Sequence, residues 1–368
     1  MGDRSFLFGG GGTGGHIYPA IAVAERLIEL DPGANVRFLC SGREIDSRIL
    51  GQSGFDYTPL PMRGFSFRPS RLADSFSSFI KSYRIARAAI AESKNPVVIG
   101  IGGFASGPSC SAAHKLAVPI FILNVDIVPG RANKIVAWWA DEVFVQFEDT
   151  REHFPKIKAK VSVVGCPLRK GFDNPQPGRA VEQLGLDAGK KVLLVTGASS
   201  GAANINDAVC RLLEKLDAFA DDWQIVHLAG GRDFERIESR CEGAKIVHKV
   251  VAYYDDMPGL LAAAHLVIGR SGAVSVAEYA AAGLPSICMP YPYHKDRHQY
   301  LNAGKLVEAG AGVIVEDLPD AKERAEGLWE ELRELMRNGS KRAEMAGNCA
   351  EMAGVDAASR IAERLLNG

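Results

Sequence analysis

The chain contains no apolar run approaching the roughly 18 residues that a helical membrane span needs, no excess of charge of either sign, and no cysteines at paired spacing. The first absence argues for a soluble or surface-bound protein rather than an integral one. The second, 43 Lys and Arg against 44 Asp and Glu, weighs against a dedicated nucleic-acid binder, so no nucleic-acid partner is expected. Seven scattered cysteines, an odd number without a C-x-x-C pair, fit reduced, buried thiols of a cytoplasmic protein. They fit neither a disulfide framework nor a zinc site. There is no low-complexity segment, no acidic or basic tail, and no leader pattern ahead of the first apolar run.

Glycine is plentiful, and its placement is informative. Ser5-Phe6-Leu7-Phe8 runs into Gly9-Gly10-Gly11-Gly12-Thr13-Gly14-Gly15-His16, and Val192-Leu193-Leu194-Val195-Thr196 runs into Gly197-Ala198-Ser199-Ser200-Gly201-Ala202. Each apolar run reads as a buried parallel strand, and each is followed by a helical pattern, Ala20 to Leu30 and Ile205 to Leu216. A strand, a glycine turn and a helix start form a concavity for phosphate, because unpaired N–H groups and the helix dipole favour an anion.

Further strands are predicted at Val36–Cys40, Val97–Ile101, Ile120–Leu123 and Glu142–Val145. In the second half they fall at Gln224–Leu228, Lys245–Val247, Leu266–Gly269, Ser286–Met289 and Gly312–Val315. This α/β alternation predicts two doubly wound parallel-sheet domains facing a cleft, with ligands at the carboxyl ends of the strands. Two domains also suit 368 residues. Proline and glycine concentrate between Gly165 and Gly178. The expected division is therefore 1–166, 167–340, and a C-terminal helix over 341–368 that returns to the first domain.

Gly10, Gly12 and Gly15 satisfy G-x-G-x-x-G, so a dinucleotide site has to be weighed. The second strand, however, ends in Cys40-Ser41-Gly42-Arg43, with Glu44 beyond its tip rather than a carboxylate placed for the ribose. A dehydrogenase also leaves unexplained a histidine, His16, at the helix start. A third stretch decides the matter: Arg270-Ser271-Gly272-Ala273-Val274-Ser275-Val276-Ala277-Glu278, then Ala280-Ala281-Ala282-Gly283-Leu284-Pro285, then His294-Lys295-Asp296-Arg297-His298-Gln299. Ser271 and Gly272 open another helix with unpaired N–H groups suited to a diphosphate. Glu278, two turns along, suits the adjacent hydroxyls of a ribose.

Taken together and in this order, these motifs closely resemble the MurG family of inverting glycosyltransferases over nearly the whole chain. The resemblance implies a GT-B fold and transfer of N-acetylglucosamine from UDP-GlcNAc to the 4-hydroxyl of the muramic sugar of a polyprenyl-diphosphate-linked muramyl peptide, a step of peptidoglycan synthesis. It assigns Thr13, Gly14 and Gly15 to a phosphate-facing loop, with His16 beside it as acceptor base. Arg169, Ser199 and the run Ala273, Val274, Ser275, Val276, Ala277 and Glu278 fall to the UDP moiety, Tyr253 to the neighbourhood of the uracil, and His298 and Gln299 to the sugar hydroxyls. Gly103, Phe104, Ser106 and Gly107 form the acceptor loop. Where the family carries His-Glu-Gln-Asn, this chain has Leu123-Asn124-Val125-Asp126, and His298 replaces a glutamine. Asp126 thus stands beside the transferred sugar and is a rival base to His16. Histidine titrates near neutral pH, and burial can bring a carboxylate there. No Asp-x-Asp pair adjoins a candidate sugar site, since Asp255-Asp256 reads as a helix cap. No metal or cofactor is therefore expected, and helix N-termini, Ser199 and Arg169 would stabilise the departing diphosphate.

Between Ser66 and Ile90, Leu72, Phe76, Phe79, Ile80 and Tyr83 form one apolar stripe flanked by Arg68, Arg71, Lys81, Arg84 and Arg87. The stripe reads either as core under the first sheet or as a face for an anionic membrane surface. The family resemblance implies the latter, with peripheral attachment at the cytoplasmic face of the inner membrane. Trp138-Trp139 reads as packing between sheet and helix. The altered acceptor loop leaves open a transferase of the same fold with another acceptor or UDP-hexose, or a non-catalytic UDP-sugar-binding protein. A UDP-hexose epimerase is more remote.

Overall fold

The computed structural model describes residues 4–64, 69–197, 201–352 and 356–368. The chain forms two compact units, Met1–Arg169 with Val355–Gly368, and Lys170–Gly354. Both are the doubly wound parallel sheets expected from the alternation.

In the first unit β1 (Ser5–Gly10), β2 (Asn35–Ser41), β3 (Asp56–Leu60), β4 (Pro96–Gly102), β5 (Ile120–Asn124), β6 (Glu142–Val145) and β7 (Lys160–Val163) lie in the order 3-2-1-4-5-6-7. Its helices include α1 (Gly14–Leu30), α2 (Glu44–Ser53), α3 (Pro69–Glu92), α4 (Ser106–Lys115) and α5 (Arg131–Val136). Every residue of β1 is buried, as expected of a strand covered on both faces. Leu7, Leu39, Val98 and Ile122 meet Ala86, Ala89 and Ile90 of α3 and Cys110 and Ala113 of α4 in one core. Small residues set the spacing here: a Cβ on Gly9 would lie 2.5 Å from the Ser109 Cβ on α4.

In the second unit β8 (Lys191–Thr196), β9 (Trp223–Leu228), β10 (His248–Val251), β11 (Leu266–Gly269), β12 (Ser286–Cys288) and β13 (Gly312–Ile314) lie in the order 10-9-8-11-12-13. The helices are α6 (Pro177–Leu184), α7 (Ala203–Arg211), α8 (Leu213–Leu216), α9 (Phe234–Cys241), α10 (Met257–Ala263), α11 (Ala273–Ala281), α12 (His298–Glu308), α13 (Ala321–Arg337) and α14 (Gly339–Met352). The Asp256 side chain accepts from the Gly259 N–H at 3.1 Å, the helix cap expected of Asp255-Asp256. The final helix, α15 (Ala357–Asn367), packs on α1 in the first unit, where Arg26 Nε donates to Ser359 Oγ at 2.6 Å and Arg4 Nη1 to the Leu366 carbonyl at 2.7 Å.

Three expectations need correction, and one open reading is narrowed. Strand β10 runs over His248–Val251 rather than Lys245–Val247, because Ile246 is taken into the core ahead of the ladder and the ladder opens at His248, opposite Ile225. Helix α1 begins at Gly14, so Pro19 lies inside it. Trp138 is exposed rather than packed under a helix, and only Trp139 is engaged, stacked on His114. In α3 the residues turned inward are Ser75, Ser78, Ser82, Ala86, Ala89 and Ile90, all buried. Phe76 is 64% exposed, and Phe79, Ile80 and Tyr83 are half-buried. Small residues let α3 lie close to α4, and the larger apolar residues are displaced toward the outer side. The side chains of Arg68, Arg71 and Leu72 lie outside the described residues.

Candidate active site

In an open parallel sheet a ligand binds where the strand order reverses, at the carboxyl ends of the two strands that flank the reversal. These points lie between β1 and β4 in the first unit and between β8 and β11 in the second. Both glycine loops and the Arg270-Ser271-Gly272 turn stand there, as does the acceptor loop after β4.

In the first unit Gly10, Gly11 and Gly12 have φ of 155°, 121° and 96°, a run that side chains disfavour. The two loops touch through backbone. Gly11 N–H donates to the Gly102 carbonyl at 3.1 Å, and a Cβ on Gly103 would lie 2.0 Å from the Gly11 oxygen. Thr13 precedes α1 without a side-chain cap, and Gly14 and Gly15 are its first residues, where amides have no intrahelical carbonyl. His16, half-buried, has Nδ1 at 3.1 Å from the Gly11 carbonyl oxygen and at 3.3 Å from Thr13 Oγ1. A carbonyl only accepts, so Nδ1 carries a proton, and in the neutral ring that leaves the lone pair on Nε2. Nε2 lies against Gly102, 3.0 Å from where a Cβ would stand. The Arg169 guanidinium stacks over Tyr18 at 4.2 Å, two residues beyond His16. Phe104 is 47% exposed with its ring against Gly64, and Gly107 abuts Phe79. Ser106 is fully buried, its Oγ 3.9 Å from Cys110 Sγ, so it shapes the loop from inside.

Asp126 is half-buried in the turn after β5, its carbonyl accepting from Asn124 Nδ2 at 2.7 Å. Asn124 Oδ1 accepts from Asn133 Nδ2 at 3.0 Å. The divergent segment is therefore closed on itself by its own amides.

In the second unit the expected donor residues follow different strands of one sheet, all at its carboxyl edge. Tyr253 follows β10 and is exposed, and α11 with Glu278 follows β11. His298 and Gln299 open α12 after β12. Val276 N–H already bonds the Gly272 carbonyl at 3.0 Å, leaving the amides of Ala273, Val274 and Ser275 as the first turn of α11. The Val276 side chain is core, Ala277 is half-buried, and Glu278 is only 8% exposed. His298 Nδ1 lies 2.7 Å from Asp296 Oδ1, and its ring stacks on His294 at 4.3 Å. Gln299 Oε1 accepts from Tyr291 N–H at 2.9 Å. Ser199 lies outside the described residues.

Sequence reasoning missed the groups that hold these loops. Arg270 and Asp317, both buried, pair at 2.8 Å, and Arg270 Nη1 donates to the Met289 carbonyl at 2.7 Å, tying the ends of β11, β12 and β13 together. Ser271 Oγ donates to the Gln299 carbonyl at 2.8 Å, joining the starts of α11 and α12. Asp46, fully buried, receives the Gly12 N–H. The buried acid in Glu44-Ile45-Asp46, just past a strand, is the one sequence signal that could have marked such an anchor.

Two glycine-loop switch points, one beside a histidine and one beside a helix that carries a buried carboxylate, are the pattern of the GT-B class, and the family matches make the chain a glycosyltransferase of it. Residues 6–145 match the glycosyltransferase family 28 N-terminal domain and residues 192–361 its C-terminal domain. The chain is 34% identical over 359 residues to the UDP-N-acetylglucosamine–N-acetylmuramyl-(pentapeptide) pyrophosphoryl-undecaprenol N-acetylglucosamine transferase of Halothermothrix orenii, covering 94% of each chain. It is 33% identical over 358 residues to the protein of the same name from Lactiplantibacillus plantarum, covering 96% of this chain and 97% of that one. Among solved structures it superposes on Acinetobacter baumannii MurG with a TM-score of 0.74 at 24% identity, over 100% of both chains. It superposes on the UDP-GlcNAc 2-epimerase of Neisseria meningitidis bound to UDP-GlcNAc with 0.71 at 15% identity, over 99% of this chain and 100% of that one. These two likenesses speak to the fold alone. The chain belongs to the MurG family of glycosyltransferases.

Proposed function

We propose that this protein transfers N-acetylglucosamine from UDP-GlcNAc to the 4-hydroxyl of a polyprenyl-diphosphate-linked N-acetylmuramyl-pentapeptide, with inversion. The observation that carries the reading is His16, held by Nδ1 at the β1/β4 switch point with Nε2 turned to Gly102 at the head of the acceptor loop. The acceptor oxygen attacks the anomeric carbon, its proton passes to His16 Nε2, and the anomeric C–O bond breaks to release UDP. The helix-start amides of α11 and the charge of Arg169 stabilise the departing diphosphate, Glu278 takes the ribose hydroxyls, and Tyr253 lies along the uracil. The test is UDP release from purified protein in EDTA, with and without a short-chain lipid-diphosphate muramyl-pentapeptide. Acceptor-dependent release is expected. Release only on adding a divalent ion would overturn the metal-free reading, and tight UDP-GlcNAc binding without release would overturn this acceptor.

The self-closed turn Asn124–Asp126 supports a second reading, a transferase of the same family acting on another acceptor or UDP-hexose. Comparing acceptors in the same assay separates the two.

Glu278→Ala is expected to weaken UDP-GlcNAc binding by about 1 to 3 kcal/mol, the cost of leaving polar partners unpaired. Unchanged calorimetric affinity would remove Glu278 from the donor site.

The protein also works, on this reading, as a peripheral protein at the cytoplasmic face of the inner membrane. No helix among the described residues is long and apolar enough to cross a membrane. On α3, Phe76 is exposed, as are Lys81, Arg84 and Arg87, with Asp74 the one acid of the helix ahead of Glu92. Binding to phosphatidylglycerol vesicles is expected to fall steeply as salt rises from about 0.05 to 0.5 M, over which the Debye length shrinks severalfold. Phe76→Ser should weaken it further. Salt-independent binding, or none, would refute this surface.

A further inference from the structure

We propose that Asp46 is a positioning residue for the transfer, acting on His16 through one peptide plane of the first glycine loop. The inference rests on the reading of His16 as base.

Asp46 lies in the first turn of α2 and is fully buried. The Gly12 N–H donates to both of its oxygens at 2.9 Å, while the Ser41 N–H and Ser41 Oγ donate to Oδ2 at 3.0 and 2.5 Å. Every one of these partners is a donor, so the group acts as a pure acceptor. Gly11 is shaped around it: a Cβ there would lie 2.5 Å from Asp46 Oδ2.

The Gly12 N–H and the Gly11 carbonyl belong to the same peptide unit, which is planar and trans, so the two groups point in opposite directions. Fixing the N–H on Asp46 therefore fixes where the Gly11 oxygen points, and that oxygen is the one 3.1 Å from His16 Nδ1. Asp46 and His16 thus bond the two ends of one amide. Its N–H is drawn toward a carboxylate, which polarises the carbonyl that receives the imidazole N–H. Arg43 Nη1, donating to the Gly12 carbonyl at 3.0 Å, holds the next peptide from the same segment. The three glycines have little conformational preference of their own. Gly102 and Arg43 hold the peptides on either side, but Asp46 alone bonds the N–H end of this one, and a plane turned in its absence releases the imidazole to the other tautomer, whose Nε2 cannot accept a proton.

Asp46→Asn keeps the size and places an NH2 among donors. It is expected to lower kcat by about 10- to 100-fold, the scale of a misplaced catalytic group, with KM for UDP-GlcNAc within about twofold of wild type. The deciding measurement is a double-mutant cycle. With His16→Ala already present, Asp46→Asn should slow turnover no further. Nitrogen NMR of labelled histidine, with the His16 signals identified by their loss in His16→Ala, should show protonated Nδ1 in wild type and a tautomer mixture in Asp46→Asn. Ser41→Ala removes a single donor to Asp46 and is the milder variant should Asp46→Asn fold poorly. It should slow kcat a few-fold, again only when His16 is present. Equal slowing by Asp46→Asn in both backgrounds, or an unchanged tautomer, would overturn the role of Asp46 while leaving the His16 reading intact. An inert His16→Ala would overturn both.

Discussion

His16→Ala is expected to slow turnover by about 100- to 10,000-fold, the range of a lost general base, while the calorimetric affinity for UDP-GlcNAc stays nearly unchanged. The expectation follows from where the ring is held. One nitrogen is committed to a backbone carbonyl, and the other faces the carboxyl ends of β1 and β4, where the acceptor loop meets the glycine loop. On the proposed reading the donor is bound by Arg169, Tyr253, Glu278 and the helix-start amides of α11 and not by His16, so truncating His16 removes an interaction made in the transition state rather than in the ground state. Asp126→Asn is the companion measurement. The described bonds of its turn run through the Asp126 carbonyl and the amides of Asn124 and Asn133, which the substitution leaves in place. A modest loss of turnover is therefore expected from Asp126→Asn, and a larger loss than from His16→Ala would transfer the base role to the carboxylate. If neither slows the reaction, the base is elsewhere.

Interior strands were legible because parallel strands covered on both faces must be apolar throughout. Phe6-Leu7-Phe8 and Val192-Leu193-Leu194-Val195 leave little room for another reading. The edge strands were not. β3, Asp56-Tyr57-Thr58-Pro59-Leu60, is mostly exposed and contains a proline that an edge tolerates, and β7 opens on an exposed lysine. Neither carries the pattern of a buried strand. The residues at the switch points were found because their chemistry is local: a glycine run, then a polar group at a helix start. Their supports were invisible for the opposite reason. Asp46 meets Gly12, Arg270 meets Asp317, and Ser271 meets the Gln299 backbone across long stretches of chain, so no spacing rule reaches them. In α3 the apolar stripe was found but stayed open between core and membrane face, because a seam with α4 built from serine and alanine leaves no hydrophobic signature.

Stability of the second unit is expected to fall by about 4 kcal/mol more than ordinary surface titration accounts for as pH drops from 7 to 5. The source is a pair that no motif announced, buried His227 and half-buried His248. His227 Nε2 lies 2.9 Å from Asn206 Oδ1, and His227 Nδ1 lies 3.1 Å from His248 Nε2. Asn206 uses its own NH2 on the Ala229 carbonyl and on Asp233 Oδ2, so its oxygen must accept. His227 therefore carries its proton on Nε2 and takes one from His248 on Nδ1. Both rings are neutral in this chain of bonds. Burial pushes His227 down to about 3, with the neighbouring His248 adding to the effect, and burial pushes His248 down to about 4. An unfolded histidine titrates near 6.5. Below that pH the unfolded chain takes up protons that the folded unit refuses, so stability is full above about 6.5 and is lost as pH falls toward the folded values. At pH 5 each ring accounts for about 2 kcal/mol. The pair is connected to the donor side of the site, because Asn206 anchors α7 to Ala229, and Gly201 of the second glycine loop lies against the same carbonyl, 2.8 Å from where its Cβ would stand. UDP-GlcNAc affinity of the folded unit should therefore hold between pH 7 and 5 and weaken only toward pH 4 and below, where the pair itself protonates. Urea unfolding followed through Trp223, which is buried in this unit, should show a steeper dependence on pH in wild type than in a His227→Gln, His248→Gln double variant, in which nothing titrates at these positions. Parallel curves would mean that the rings carry their charge in the folded unit and would overturn the neutral pair.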